Sequence, residues 1–223
     1  QLSIIDSWFG RGPSGGLFHD APHNGRSVEI GSADFQIINS VFTDNGDYGR
    51  DAFGGVRIRA LTPGSSRRSL VMNSTFFHQT GLLKSGKYYT TIYCDNPVGD
   101  RLVLVNTLLS TEMALIKAPE ERYIDASCGA ALHNIASNDD SLSNSSSVVY
   151  GAVAPLFVDM AGRDLRLSRG QSTDQKALET RGTLTVTIGT DTLRAPDHDL
   201  DGKPRPTDHV AIGAFEPTSP LPR

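Results

Sequence analysis

Leu70-Val71-Met72-Asn73-Ser74-Thr75-Phe76-Phe77 decides how this chain reads, because the same pattern recurs on both sides of it. An apolar run, an Asn or Asp with a small residue, and a second apolar pair recur in Ile37-Ile38-Asn39-Ser40-Val41-Phe42 and in Leu104-Val105-Asn106-Thr107-Leu108-Leu109. Fainter copies are Ile4-Ile5-Asp6-Ser7-Trp8-Phe9 and Ala131-Leu132-His133-Asn134-Ile135. The pivots Asp6, Asn39, Asn73, Asn106 and Asn134 are 33, 34, 33 and 28 positions apart. A near-constant period of this size marks a repeat architecture, in which one unit cannot bury its apolar face alone.

The units are too short for amphipathic helices, which need apolar residues at i, i+3, i+4 and i+7 over longer stretches. Val, Ile, Phe and Thr crowd the pivots, as strands prefer. Asparagine tolerates the left-handed conformation of a sharp bend, and stacked asparagines can hydrogen-bond from unit to unit. The fold class expected is all-β: a right-handed single-stranded parallel β-helix, or β-solenoid, of about five coils. Asn39, Asn73, Asn106 and Asn134 are its structural pivots.

A second apolar segment follows each pivot at a similar offset. Gly55-Val56-Arg57-Ile58, Thr90-Thr91-Ile92-Tyr93 and Tyr123-Ile124 begin 16 or 17 positions on, whereas Val28-Glu29-Ile30 begins 22 after Asp6. Cys94 and Cys128 lie 21 and 22 positions past their pivots, which places them at one phase of adjacent coils. Strands about 4.8 Å apart suit a disulfide; two stacked buried thiols are the other reading. A disulfide implies an oxidising compartment.

The chain has 223 residues, 38% hydrophobic content and a net charge of −4. One continuous domain is expected, with coils over 1–154 and the last coil and an irregular C-terminal cap over 155–223. No basic run argues for nucleic acid, and no apolar run approaches a transmembrane span. Gln1 opens directly onto a strand-like segment, so the first coil is expected to be covered by other copies or other domains of a longer parent chain.

Each coil carries an insertion between pivot and second segment: Gly10 to Gly16, Thr43 to Gly54, and His78 to Tyr89. Insertions on one face often form the binding surface. Lys84, Lys87, Tyr88 and Tyr89 combine cations with aromatic planes that suit sugar rings and uronate carboxylates; solvated loop residues are the plainer reading. Glu112 to Lys117 reads as one or two helical turns stopped by Pro119. Ser137 to Ser147 reads as a loop. Leu184 to Gly189 alternates as a half-exposed strand does, and the tail is expected to cover the C-terminal end of the stack.

The tail also carries a likeness. Pro155-Leu156-Phe157-Val158-Asp159, Asp164-Leu165-Arg166-Leu167, Asp199-Leu200-Asp201-Gly202-Lys203-Pro204-Arg205-Pro206 and Ile212-Gly213-Ala214-Phe215-Glu216 resemble the ending of bacterial parallel β-helix proteins of the polymorphic outer-membrane and pectate-lyase-like superfamily. The N-S-x-F rungs are similar to that family's coils. The resemblance implies a secreted or surface-attached bacterial module and three sheets per coil. It also implies a structural turn in which Arg205 pairs with an acidic residue such as Glu216. Gly170-Gln171-Ser172-Thr173-Asp174 departs from the family's usual ending. The likeness carries no activity, because this fold hosts lyases, hydrolases, adhesins and stalks alike.

Asp197, Asp199, Asp201 and Asp208, with Gly202, match part of a calcium-loop count, but Pro204 and Pro206 stand where that loop returns. Calcium is the one cofactor the sequence raises. Asp139-Asp140 is an adjacent acidic pair that sits in a Ser-rich loop, while glycosidases need carboxylates arranged about a sugar bond. Lyase chemistry would draw its base from Arg57, Lys84 or Lys87. The reading is a non-catalytic extracellular structural or adhesive module with polysaccharide contact; a polysaccharide lyase or glycoside hydrolase acting on an acidic polysaccharide is the alternative.

Overall fold

A computed structural model describes residues 1–10, 28–43, 55–77, 91–110, 123–125, 128–138, 142, 148–149, 156–160, 162, 164–169 and 172–217. The first repeat holds β1 (Leu2–Ile5), β2 (Trp8–Gly10) and β3 (Val28–Ile30), and the second holds β4 (Phe35–Ile38), β5 (Val41–Thr43) and β6 (Val56–Ile58). The third holds β7 (Ser69–Met72), β8 (Thr75–Phe77) and β9 (Ile92–Cys94), and the fourth β10 (Leu102–Val105) and β11 (Leu108–Ser110). Then come β12 (Ala131–His133), β13 (Ala136–Ser137), β14 (Val148–Val149), β15 (Phe157–Asp159), β16 (Asp164–Leu167), α1 (Thr173–Thr180), β17 (Thr185–Ile188) and β18 (Asp191–Arg194). The chain is mainly β, as expected.

Corresponding strands of successive repeats pair in parallel. The first sheet runs β1-β4-β7-β10-β12, the second β2-β5-β8-β11-β13-β14, and the third β3-β6-β9. Ile4 lies opposite Ile37, Ile37 opposite Val71, Val71 opposite Leu104 and Leu104 opposite Leu132. These partners keep the 33, 34, 33 and 28 spacings of the pivots. β3 joins β6 in register although its offset from the pivot is longer, and the excess falls within residues 11–27. An Ile92–Ile124 bridge extends the third sheet by one position.

Each pivot turns the chain from the first sheet to the second. Asp6, Asn39, Asn73, Asn106 and Asn134 have φ between 46° and 53°, and among the described residues they are the non-glycine positions with positive φ. That conformation places β-carbon against carbonyl for most L-residues and suits Asn and Asp best. Inside the stack, Phe9, Phe42 and Phe76 lie face to face, with ring centroids 4.9 and 4.6 Å apart. Val71, Leu104, Ile58 and Ile92 complete the same core. Gly55 is required here, since a β-carbon on it would meet the Thr91 carbonyl oxygen at 2.5 Å. Cys94 and Cys128 form a disulfide within this core, with Cα atoms 5.2 Å apart.

The tail departs from expectation. It does not simply close the C-terminal end; it runs as a strap along the column of pivots back to the first repeat. Asn134 donates to the Thr183 hydroxyl at 3.2 Å, and Asn106 donates to the Thr183 carbonyl at 2.8 Å. Asn73 donates to the Ala211 carbonyl at 3.3 Å, and Arg205 donates to Asn39 Oδ1 at 3.0 Å. His198 meets Asp6 at 3.3 Å, and Phe215 sits 6.2 Å from the Trp8 ring. The asparagine ladder is therefore direct between Asp6 and Asn39 and between Asn73 and Asn106, while the strap takes up other amide groups.

The cause of this course is apolar surface. Val41, Phe77, Leu108 and Ala136 point outward from the second sheet and are buried under Leu156, Phe157, Leu165, Leu167, Leu178, Ile212 and Phe215. Leu70, Met72, Val103 and Val105 point outward from the first sheet, where Val186, Ile188 and Leu193 of the antiparallel β17–β18 hairpin cover them. Parallel sheets need both faces covered. Helix α1 was not foreseen. Ser172 caps it by accepting from Gln175 N at 3.1 Å, and the Gln175 side chain accepts from Ser172 N, a capping box.

Among the described residues, the exposed large apolar side chains are Leu2 (40%), Ile5 (50%) and Trp8 (41%), all in the first repeat.

Candidate functional site

The tail's apolar side chains, among the described residues, join clusters on the first and second sheets and not the cluster containing the third. In the third sheet Val56, Ile58, Ile92 and Cys94 face the core. The alternate residues face outward: Glu29 beside Arg57, and Arg57 beside Tyr93. The Ile92–Ile124 bridge sets Asp125 next in the same column. Glu29 is exposed and the other three are half-buried.

The column is laced with ion pairs. Arg57 binds Asp95 with two parallel hydrogen bonds, Nε to Oδ1 at 2.9 Å and Nη2 to Oδ2 at 3.0 Å. Arg59 pairs with Glu29, and Asn96 donates to the Arg59 carbonyl at 3.1 Å. Bidentate guanidinium–carboxylate geometry fixes both groups as rigid planes. Beside Tyr93 this gives an aromatic plane and a guanidinium plane one strand apart, flanked by carboxylates. Such a surface offers stacking area together with donors and acceptors. Arg57, one of the residues raised as a lyase base, is held by Asp95 in this pair.

In three successive repeats a stretch of sequence separates the second-sheet strand from the third-sheet position: residues 44–54 come before Val56, 78–90 before Ile92 and 111–122 before Ile124. Lys84, Lys87, Tyr88 and Tyr89 belong to the second of these stretches and lie outside the described residues, as does the helical turn expected over 112–117. Of the five residues expected to bind ligand, Arg57 is the one whose place is seen. Tyr93, Glu29 and Asp125 did not stand out in the sequence. The signal that finds them is the alternation about Val56, Ile58 and Ile92, read for the outward position rather than the inward one.

The Asp-rich segment forms a different object. Asp199 is buried, and its Oδ1 accepts the backbone N–H groups of Asp201 and Lys203 at 3.0 and 2.8 Å, while Oδ2 accepts that of Glu216 at 2.9 Å. Asp197 contacts His198 and Asp208 contacts His209. Burial, followed by the charge of Asp199, raises the Asp201 carboxyl above its ordinary value. Among the described residues no three His, Cys, Asp or Glu side chains group as a metal ion requires. The segment is a turn organised by its own carboxylate, with Gly202 at φ 77°. Arg205 and Glu216 form the buried pair that the likeness implied.

No family model, curated protein or solved structure matches the chain. Among the described residues, no helix is long and apolar enough to cross a membrane.

Proposed function

We propose that this chain is a non-catalytic, extracellular or cell-surface β-helix module that presents its third sheet to an acidic polysaccharide. In this reading the three parallel sheets are the faces of a right-handed single-stranded β-solenoid of about five coils. It serves as part of a stalk, fibre, surface layer or adhesin of the polymorphic outer-membrane and pectate-lyase-like kind. The carrying observation is the outward column Glu29, Arg57, Tyr93 and Asp125, set on the sheet that the tail's apolar residues leave alone. The disulfide is compatible with an oxidising compartment. The exposed Leu2, Ile5 and Trp8 edge is where another copy or a neighbouring domain adds its strands.

The test is retention on immobilised polygalacturonate against a neutral glucan, for the wild type and for Tyr93→Ala and Arg57→Ala. Salt-sensitive retention of the wild type, reduced roughly threefold or more in the variants, is expected on the scale of one lost stacking or charged contact. The eluted polysaccharide should keep its length. Release of unsaturated or reducing ends would transfer the chain to the polysaccharide lyases or glycoside hydrolases. Equal retention of wild type and variants would remove the third sheet from the function.

A further inference from the structure

His198 lies where the strap reaches the first repeat, and both of its ring nitrogens face carboxylates. Nδ1 is 2.7 Å from Asp197 Oδ1 on its own segment, and Nε2 is 3.3 Å from Asp6 Oδ2, across 192 positions of sequence. An ionised carboxylate only accepts hydrogen bonds. A neutral imidazole donates from one nitrogen and so satisfies one of these contacts, whereas the imidazolium donates to both.

We propose that this junction is a pH-dependent latch: the His198 imidazolium ties the strap to the first pivot, Asp6, and deprotonation releases that tie near neutral pH. The hydrogen bond to Asp197, then that to Asp6, raises the imidazole above its ordinary value of 6.5. A raised folded value means the stabilisation is complete below about 6.5 and fades as pH climbs through the folded value. The partner Asp197 is lowered, first by its hydrogen bond to His198, so its own contact with His198 is lost only in acid.

Other charged groups surround the junction. Arg205 donates to the His198 carbonyl at 3.2 Å and is paired with Glu216. Arg194, on the neighbouring hairpin strand, acts on Asp197. The remaining ties between strap and pivots run through Asn39, Asn73, Asn106, Asn134 and Thr183, which do not ionise. Release is therefore local. It frees the stretch around His198 against the first repeat, where Trp8, the one tryptophan of the chain, faces Phe215 of the strap.

The experiment follows Trp8 fluorescence from pH 5 to pH 9. In parallel, hydrogen exchange of peptides covering residues 1–10 and 197–206 is corrected for the intrinsic pH dependence. The wild type should show one transition centred above 6.5, with protection falling roughly two- to fivefold on its alkaline side, the scale of an exposed charged contact. His198→Gln should lack the transition and hold the alkaline protection level throughout. Asp6→Asn, which gives the first pivot the residue found at the other four, should move the midpoint down. Fluorescence alone can register direct quenching by the imidazolium, so the exchange data decide. Flat corrected protection in the wild type, or a transition of unchanged size in His198→Gln, overturns the latch.

Discussion

Asn106 and Thr183 bind each other twice: the Asn106 amide donates to the Thr183 carbonyl at 2.8 Å, and Thr183 N donates back to Asn106 Oδ1 at 3.0 Å. The pivot side chain thus behaves like one more backbone amide, to which the strap adds itself. It also reaches Asn73 Oδ1 at 3.3 Å, so one residue joins two repeats and the tail.

Asn106→Ala should therefore lower stability by roughly 2–5 kcal/mol, combining left-handed strain with unpaired buried groups. Asn106→Gly restores the backbone freedom but not the bonds, and should recover about 1 kcal/mol of that loss. Urea denaturation of the three proteins separates the two contributions.

Glu216→Ala should destabilise by roughly 3–5 kcal/mol, because it leaves a buried guanidinium without its partner. The Arg205 side chain is fully buried, and Glu216 also accepts the Ala211 N–H at 3.1 Å. Asp208→Ala, at a carboxylate that is 79% exposed, should stay within about 0.5 kcal/mol of wild type. Thermal melts of both variants check the contrast.

Replacing both cysteines by alanine should lower stability by roughly 3–4 kcal/mol, the scale for a closed loop of this size; the separation is 34 residues. Both half-cystines are buried. Reductant should therefore act slowly on the folded protein and quickly once urea opens it, which timed thiol labelling reads directly.

Asp34 gives the acid limit. Burial opposes its charge, but the Ser65 hydroxyl at 2.6 Å, the Arg101 guanidinium at 2.8 Å and Thr62 outweigh burial and hold the carboxyl below its ordinary value of 3.8. A lowered folded value contributes stability above the unfolded value that is lost as pH falls through the folded one. Asp34→Asn should be less stable than wild type at pH 7, and the gap should narrow on acidification below about pH 4. Denaturation midpoints at several pH values test the sign.

The pivots were legible because a left-handed bend admits few residues, so the chemistry of one position repeats in the sequence as Asp6, Asn39, Asn73, Asn106 and Asn134. The Cys94–Cys128 pairing was legible for the same reason, since equal phase on stacked strands is proximity. The offset of Val28 looked irregular because chain length between strands is free while register is not. The strap was not legible. Thr185–Ile188 alternates as any one-sided strand does, and alternation does not name the surface it covers. Helix α1 was within reach, since Ser172 and Gln175 stand at capping-box spacing. The outward column on the third sheet was obscured because polar residues between apolar ones look like ordinary solvated positions.

Stacked repeats with contacts only to their neighbours can fray from either end, each end indifferent to the other. Here the strap connects Asn134 to Asp6 through every pivot between them. The linear array becomes a closed circuit, in which loosening at one end slackens the binding that holds the other. Such a molecule should unravel as a whole rather than by halves. It should also fold late, since a tie across 192 positions must wait for the intervening turns to be wound.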